Sequence, residues 1–180
     1  MSMNQDIQEV LFTPEEIAAA NQRLGQQIAH DYQGKNPLLV CVLKGAILFL
    51  TDLIRQIPES VEIDFMDVSS YHGGTTSSGD VKIIKDLDAS VAGRDVIFVE
   101  DIIDTGNTLK ALGDLFASRK AKSVKIVSLV DKPAHRNQSV KADYVGLSCP
   151  DKFIVGYGMD YQDRYRNLPY IGVLKPEVYL

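Results

Sequence analysis

The chain has 180 residues, 45% of them hydrophobic and 24% charged, and its 19 basic and 24 acidic residues leave a formal charge of -5. Such proportions exclude a disordered chain, a collagen-like repeat and a disulfide scaffold, and the length favours one domain around one sizeable core. The acidic balance argues against nucleic acid as the main partner, and no apolar run reaches the roughly 18 residues that a membrane span requires.

In chain order, Met1 to Gln8 is polar and acidic, unlike a signal peptide, so the cytoplasm is the expected location. Thr13-Pro14-Glu15-Glu16 has the pattern of a capped helix start, and Ile17, Leu24 and Ile28 recur at helical spacing before Gly34. Leu38 to Leu43 is apolar without alternation, which predicts a strand buried on both faces. Lys44-Gly45 breaks the run, and Ala46 to Ile57 reads as a helix. Cys41 and Cys149, far apart in apolar settings, read as buried reduced thiols.

Val61 to Met66 alternates as a strand and Val81 to Lys85 resumes one, so the two form a long hairpin. The polar, glycine-rich stretch from Tyr71 to Asp80 between them is either a plain connection or a lid over an active site. Val96 to Val99 is a second buried run, followed by a turn from Glu100 to Gly106 and a helix from Thr108 to about Ser118. Val124 to Val130 is a third. Buried strands flanking a helix make a βαβ crossover, so the expected class is α/β, with a mainly parallel twisted sheet flanked by helices.

The most informative stretch is Glu100-Asp101-Ile102-Ile103-Asp104-Thr105-Gly106-Asn107-Thr108-Leu109. It follows the carboxyl end of a buried strand and opens a helix, the place where open α/β sheets hold ligands. Free backbone N–H groups and hydroxyls at such a corner suit a phosphate, and Gly106 permits close approach. Two acids just past a buried strand are costly unless they bind something, such as Mg2+ or sugar hydroxyls. No Gly-Lys-Ser/Thr follows, and Gly156-Tyr157-Gly158 lacks the third glycine of a dinucleotide fingerprint.

Val99 to Leu109 resembles the phosphoribosyl-pyrophosphate motif of type I phosphoribosyltransferases. The similarity runs from about Leu38 to Leu174. Val42-Leu43-Lys44-Gly45, Ser70-Tyr71, Leu129-Val130-Asp131-Lys132-Pro133 and the stretch from Pro150 to Tyr161 resemble the 6-oxopurine branch. The resemblance implies transfer of a phosphoribosyl group to hypoxanthine, with guanine as a second acceptor. It also implies a single domain over 1–180, with a core at about 36–150, a small hood from about 1–35 and 150–180, and a lid over about 70–81.

The same resemblance implies roles for individual residues. Glu100 and Asp101 would receive the ribose hydroxyls, and Asp104, Thr105, Gly106, Asn107 and Thr108 would cradle the 5′-phosphate. Asp104 would also be the catalytic acid/base partner of purine N7. Lys132 would donate to the 6-oxo group, Phe153 would stack on the ring, and the backbone at Ile154 would read the base edge. Lys44, Gly45 and Arg166 would hold pyrophosphate, in a loop that in this family often contains a non-proline cis peptide. Glu100, Asp101 and Asp160 would serve Mg2+, and Ser70 and Tyr71 would lead into the lid. Implied partners are an oxopurine base and phosphoribosyl pyrophosphate, with neither nucleic acid nor membrane, and a homo-oligomer, dimer or tetramer, is expected. Asp131 departs from relatives that have an apolar residue before the lysine. A xanthine- or guanine-preferring transferase and a nucleic-acid-binding regulator on the same fold are the rival readings.

Overall fold

A computed structural model describes residues 2–70, 81–136 and 139–180. Its strands are β1 (Ile7–Phe12), β2 (Leu38–Leu43), β3 (Glu62–Ser70), β4 (Val81–Lys85), β5 (Asp95–Ile103), β6 (Ser123–Asp131), β7 (Tyr144–Ser148), β8 (Ile154–Val155) and β9 (Ile171–Leu174). The helices are α1 (Pro14–Asp31), α2 (Ile47–Ile54), α3 (Asn107–Ser118) and the short α4 (Pro176–Tyr179).

Six strands form a sheet in the order β4-β3-β2-β5-β6-β7. The pairs β2–β3, β2–β5, β5–β6 and β6–β7 are parallel, and only the edge strand β4 runs antiparallel. The expected α/β class with a mainly parallel sheet is what the chain adopts. The unbroken apolar runs have a direct cause. Leu39, Cys41, Ile97 and Val99 face a core shared with α1 and α2, while Val40, Val42, Val96 and Phe98 face one shared with α3. With both faces buried, no polar alternation survives.

Helix α1 begins with a reciprocal capping box: Thr13 N donates to Glu16 Oε2 at 2.8 Å, and Glu16 N donates to Thr13 Oγ1 at 3.3 Å. A cap of this kind stabilises by about 1 kcal/mol. The apolar stripe Ile17, Ala20, Leu24 and Ile28 joins the core that contains β2 and α2. This stripe draws α1 onto the large sheet layer, where it contacts α2, β6 and β7.

Strands β1, β9 and β8 form a second, three-stranded sheet that joins both ends of the chain. Its inner residues Ile154, Ile171 and Val173 belong to the same core as α1 and α2. No helix among the described residues is long and apolar enough to cross a membrane.

Candidate active site

In the large sheet, β3 lies outward from β2 on one side and β6 outward from β5 on the other, so the strand order reverses between β2 and β5. Connections leaving the carboxyl ends of these two strands diverge and open a crevice there. Lys44-Gly45 follows β2, and the acidic Asp-Thr-Gly corner closes β5.

The segments around the crevice fit without slack. A Cβ on Gly45 would sit 1.8 Å from Asp101 Oδ2, and one on Gly158, whose φ is +100°, would sit 2.0 Å from the Gly45 carbonyl oxygen. Gly45 must be glycine for the β2 loop to touch the acids, and Gly158 for the later turn to touch that loop. The Leu43–Lys44 peptide is cis, one bond before the Lys44-Gly45 step.

Glu100 is only 8% exposed. Burial, aided by the adjacent Asp101 charge, pushes its carboxyl well above the usual carboxylate range. Burial also pushes Asp101 up to about 6, against the opposing pull of backbone N–H donors and of Arg166. The Ile102 N–H donates to Asp101 Oδ1 at 2.8 Å. Two desolvated acids side by side form a site that gains from a cation or from hydroxyl donors.

The corner is set by Gly106, whose left-handed φ of 84° turns β5 into α3. The corner lines a cavity of about 230 Å3 with Glu100, Ile102, Asp104, Thr105, Asn107 and Thr108, and within it the Asn107 N–H donates to Thr105 Oγ1 at 3.5 Å. From the end of β6, Lys132 reaches this corner while only 9% exposed. Its Nζ lies 3.9 Å from Asp104 Oδ2 and 3.2 Å from Asp151 Oδ1. The Lys132 N–H donates to the Ile103 carbonyl at 3.0 Å, which fixes the two strand ends together.

Arg166 donates to the Gly158 carbonyl at 2.8 Å and pairs with Asp160 at 2.9 Å. It also pairs with Asp163 at 3.2 Å, and Lys44 Nζ meets the same Asp163 oxygen at 3.4 Å. Asp163 therefore tethers the two cations expected to bind pyrophosphate. Arg166 and Lys44 hold its carboxyl below the usual range. Phe153 immediately precedes β8, which opens with the buried Ile154.

Lys44, Gly45, Asp101, Asp160 and Arg166 are thus brought together, as are Glu100, Asp104 to Thr108 and Lys132. Ser70 ends β3, paired with Val81. Tyr71 and the rest of the expected lid to Asp80 lie outside the described residues. Two contributors carried no signal in the sequence reading. Asp163 stands three before Arg166. Arg136 stands four after Lys132 and donates to the carbonyls of Asp104 at 2.9 Å and Ile103 at 3.1 Å while pairing with Asp131. The departure at Asp131 thus has a structural partner. A larger cavity of about 710 Å3 lies between α1, α2 and the turn at 157–169, away from the acidic corner.

A family model described as the phosphoribosyl transferase domain matches residues 8–162. The bifunctional protein TilS/HprT of Listeria innocua is 60% identical over 99% of this chain, and the chain spans 28% of that relative's length. The hypoxanthine-guanine phosphoribosyltransferase of Streptococcus thermophilus is 58% identical, with 98% of each chain covered. A crystal structure of a hypoxanthine phosphoribosyltransferase from Staphylococcus aureus superposes with a TM-score of 0.95 at 54% identity, covering 99% of this chain and 97% of that one.

Proposed function

The chain belongs to the phosphoribosyl transferase family, and from that premise we propose that it is a purine-salvage enzyme. It moves the 5-phosphoribosyl group from phosphoribosyl pyrophosphate to N9 of hypoxanthine or guanine, giving IMP or GMP and pyrophosphate. The observation that carries this reading is the 3.9 Å separation of Asp104 and Lys132 at one corner. On a 6-oxopurine, N7 and the 6-oxo group are neighbours on the ring's rim. A carboxylate and an ammonium held side by side are complementary to that pair.

Glu100 and Asp101 receive the ribose 2′- and 3′-hydroxyls, and residues 104–108 hold the 5′-phosphate on backbone N–H groups and hydroxyls. Lys44, the Gly45 backbone and Arg166 hold the pyrophosphate. Phe153 stacks on the base, and the Ile154 backbone reads its edge. As N9 bonds to C1′, the bond from C1′ to the pyrophosphate oxygen breaks and its electron pair leaves with pyrophosphate. Asp104 takes the N7 proton, so positive charge does not accumulate on the ring.

Among the described residues no three His, Cys, Asp or Glu side chains form a ready metal cage. Mg2+ does not need one, since it keeps waters and takes phosphate oxygens beside one or two carboxylates. The buried pair Glu100 and Asp101, with Asp160 nearby, fits that demand. When bound, the ion neutralises charge on the leaving group. A homo-oligomer, dimer or tetramer, follows from the family resemblance. We place the protein in the cytoplasm, where the buried thiols of Cys41 and Cys149 stay reduced.

Initial rates with hypoxanthine, guanine, xanthine and adenine test the reading. Hypoxanthine and guanine should be turned over. Adenine should fall about a thousandfold or more in kcat/KM, because its 6-amino group sets a donor against the Lys132 donor. Fastest turnover of adenine would refute it.

A further inference from the structure

Phe153 leaves 38% of its surface open. One face of its ring is already covered: Tyr179, near the end of the chain, lies against it with ring centroids 4.6 Å apart and planes 16° from parallel. Tyr161 closes an edge, with centroids 5.6 Å apart and planes at 87°. Among the described residues no third ring covers the opposite face.

The chain ties Tyr179 to this position. The Leu174 N–H, at the end of β9, donates to the Phe153 carbonyl at 2.9 Å. A four-residue helix such as α4 has no stability of its own. It is held by packing of Val178 and Tyr179 on a hood cluster that contains Tyr165, Leu168 and Leu174.

We propose that Tyr179 is a positioning residue for base recognition, a buttress that fixes the Phe153 ring from behind and leaves its open face for the purine. This rests on the functional reading above, which supplies the base. Without the buttress the Phe153 side chain is free to change rotamer, and ordering it opposes binding each time a base enters. The effect falls first on the base, because ribose and 5′-phosphate are held by the separate segment at 100–108 and pyrophosphate in part by the one at 44–45.

Steady-state kinetics of the full chain with hypoxanthine and phosphoribosyl pyrophosphate provide the test. Tyr179→Ala should raise KM for hypoxanthine roughly three- to tenfold, the range expected for loss of an aromatic pair, with KM for phosphoribosyl pyrophosphate unchanged. Tyr179→Leu, which keeps apolar packing without a flat face, should do the same and carries the test if the alanine variant fails to fold. Tyr179→Phe should match the wild type. An unchanged KM for hypoxanthine in the leucine variant would overturn the proposal. A lowered one would also do so, since Tyr179 would then occupy the base's own face, and an equal rise in both KM values would reveal general loosening of the fold. A wild type inactive with every oxopurine overturns the functional reading and this inference together, whereas an active wild type with an indifferent Tyr179 overturns the inference alone.

Discussion

Replacing Asp104 with Asn is expected to lower turnover by about two to four orders of magnitude, the range for loss of a positioned acid/base group, while KM for phosphoribosyl pyrophosphate stays near the wild-type value. The substituted amide has the size of the carboxyl group and can still form hydrogen bonds, but it cannot take the N7 proton as the new bond forms. The backbone frame should survive. The carbonyl of residue 104 is held by Arg136 Nε at 2.9 Å, a bond that does not involve the substituted side chain. Lys132 keeps its other carboxylate partner, Asp151, at 3.2 Å. Saturation kinetics, with thermal melting to verify folding, provide the check. Turnover within tenfold of the wild type would remove Asp104 from the chemistry.

Glu100→Gln should stabilise the free protein while weakening its grip on phosphoribosyl pyrophosphate. The Glu100 carboxyl is pushed well above the usual range, with burial as the main cause and the Asp101 charge as the second. The folded state therefore holds this proton more tightly than the unfolded state does. Stability is greatest below the unfolded pKa of about 4.3 and falls as pH rises toward the folded value. Gln carries no such penalty, so the variant should be more stable than the wild type near neutral pH and little changed near pH 4. The opposite effect on function follows from the lost acceptor for sugar hydroxyls and metal, with KM for phosphoribosyl pyrophosphate rising about tenfold or more. Urea titrations of the free protein at both pH values, beside kinetics, test the pair of effects. A variant less stable than the wild type at neutral pH would show that Glu100 stabilises the fold rather than straining it.

What the sequence revealed depended on how local each signal was. The runs at Leu38 to Leu43, Val96 to Val99 and Val124 to Val130 were legible as buried strands because burial on both faces leaves only apolar residues. The corner from Glu100 to Thr108 was legible because acids, threonines and glycine stand together in one short stretch. The hood sheet was not. Three of the six residues of β1, Gln8, Glu9 and Val10, are exposed, and its pairing with β9 is broken by register shifts, so no periodicity marks it. Asp163 reaches Lys44 and Arg166 from a turn in which Gln162, Asp163 and Tyr165 all take positive φ, a conformation that their side chains do not announce. The contacts of Arg136 with Asp104 and of Tyr179 with Phe153 join segments 32 and 26 residues apart, respectively, and become visible only once the chain has folded.

A crystal structure with IMP bound tests the assignment of the β5–α3 corner most directly. The expected complex has the 5′-phosphate on the backbone N–H groups of residues 105–108, the ribose hydroxyls on Glu100 and Asp101, and the 6-oxo oxygen within hydrogen-bond distance of Lys132 Nζ. A nucleotide seated elsewhere, with that corner unengaged, would contradict it.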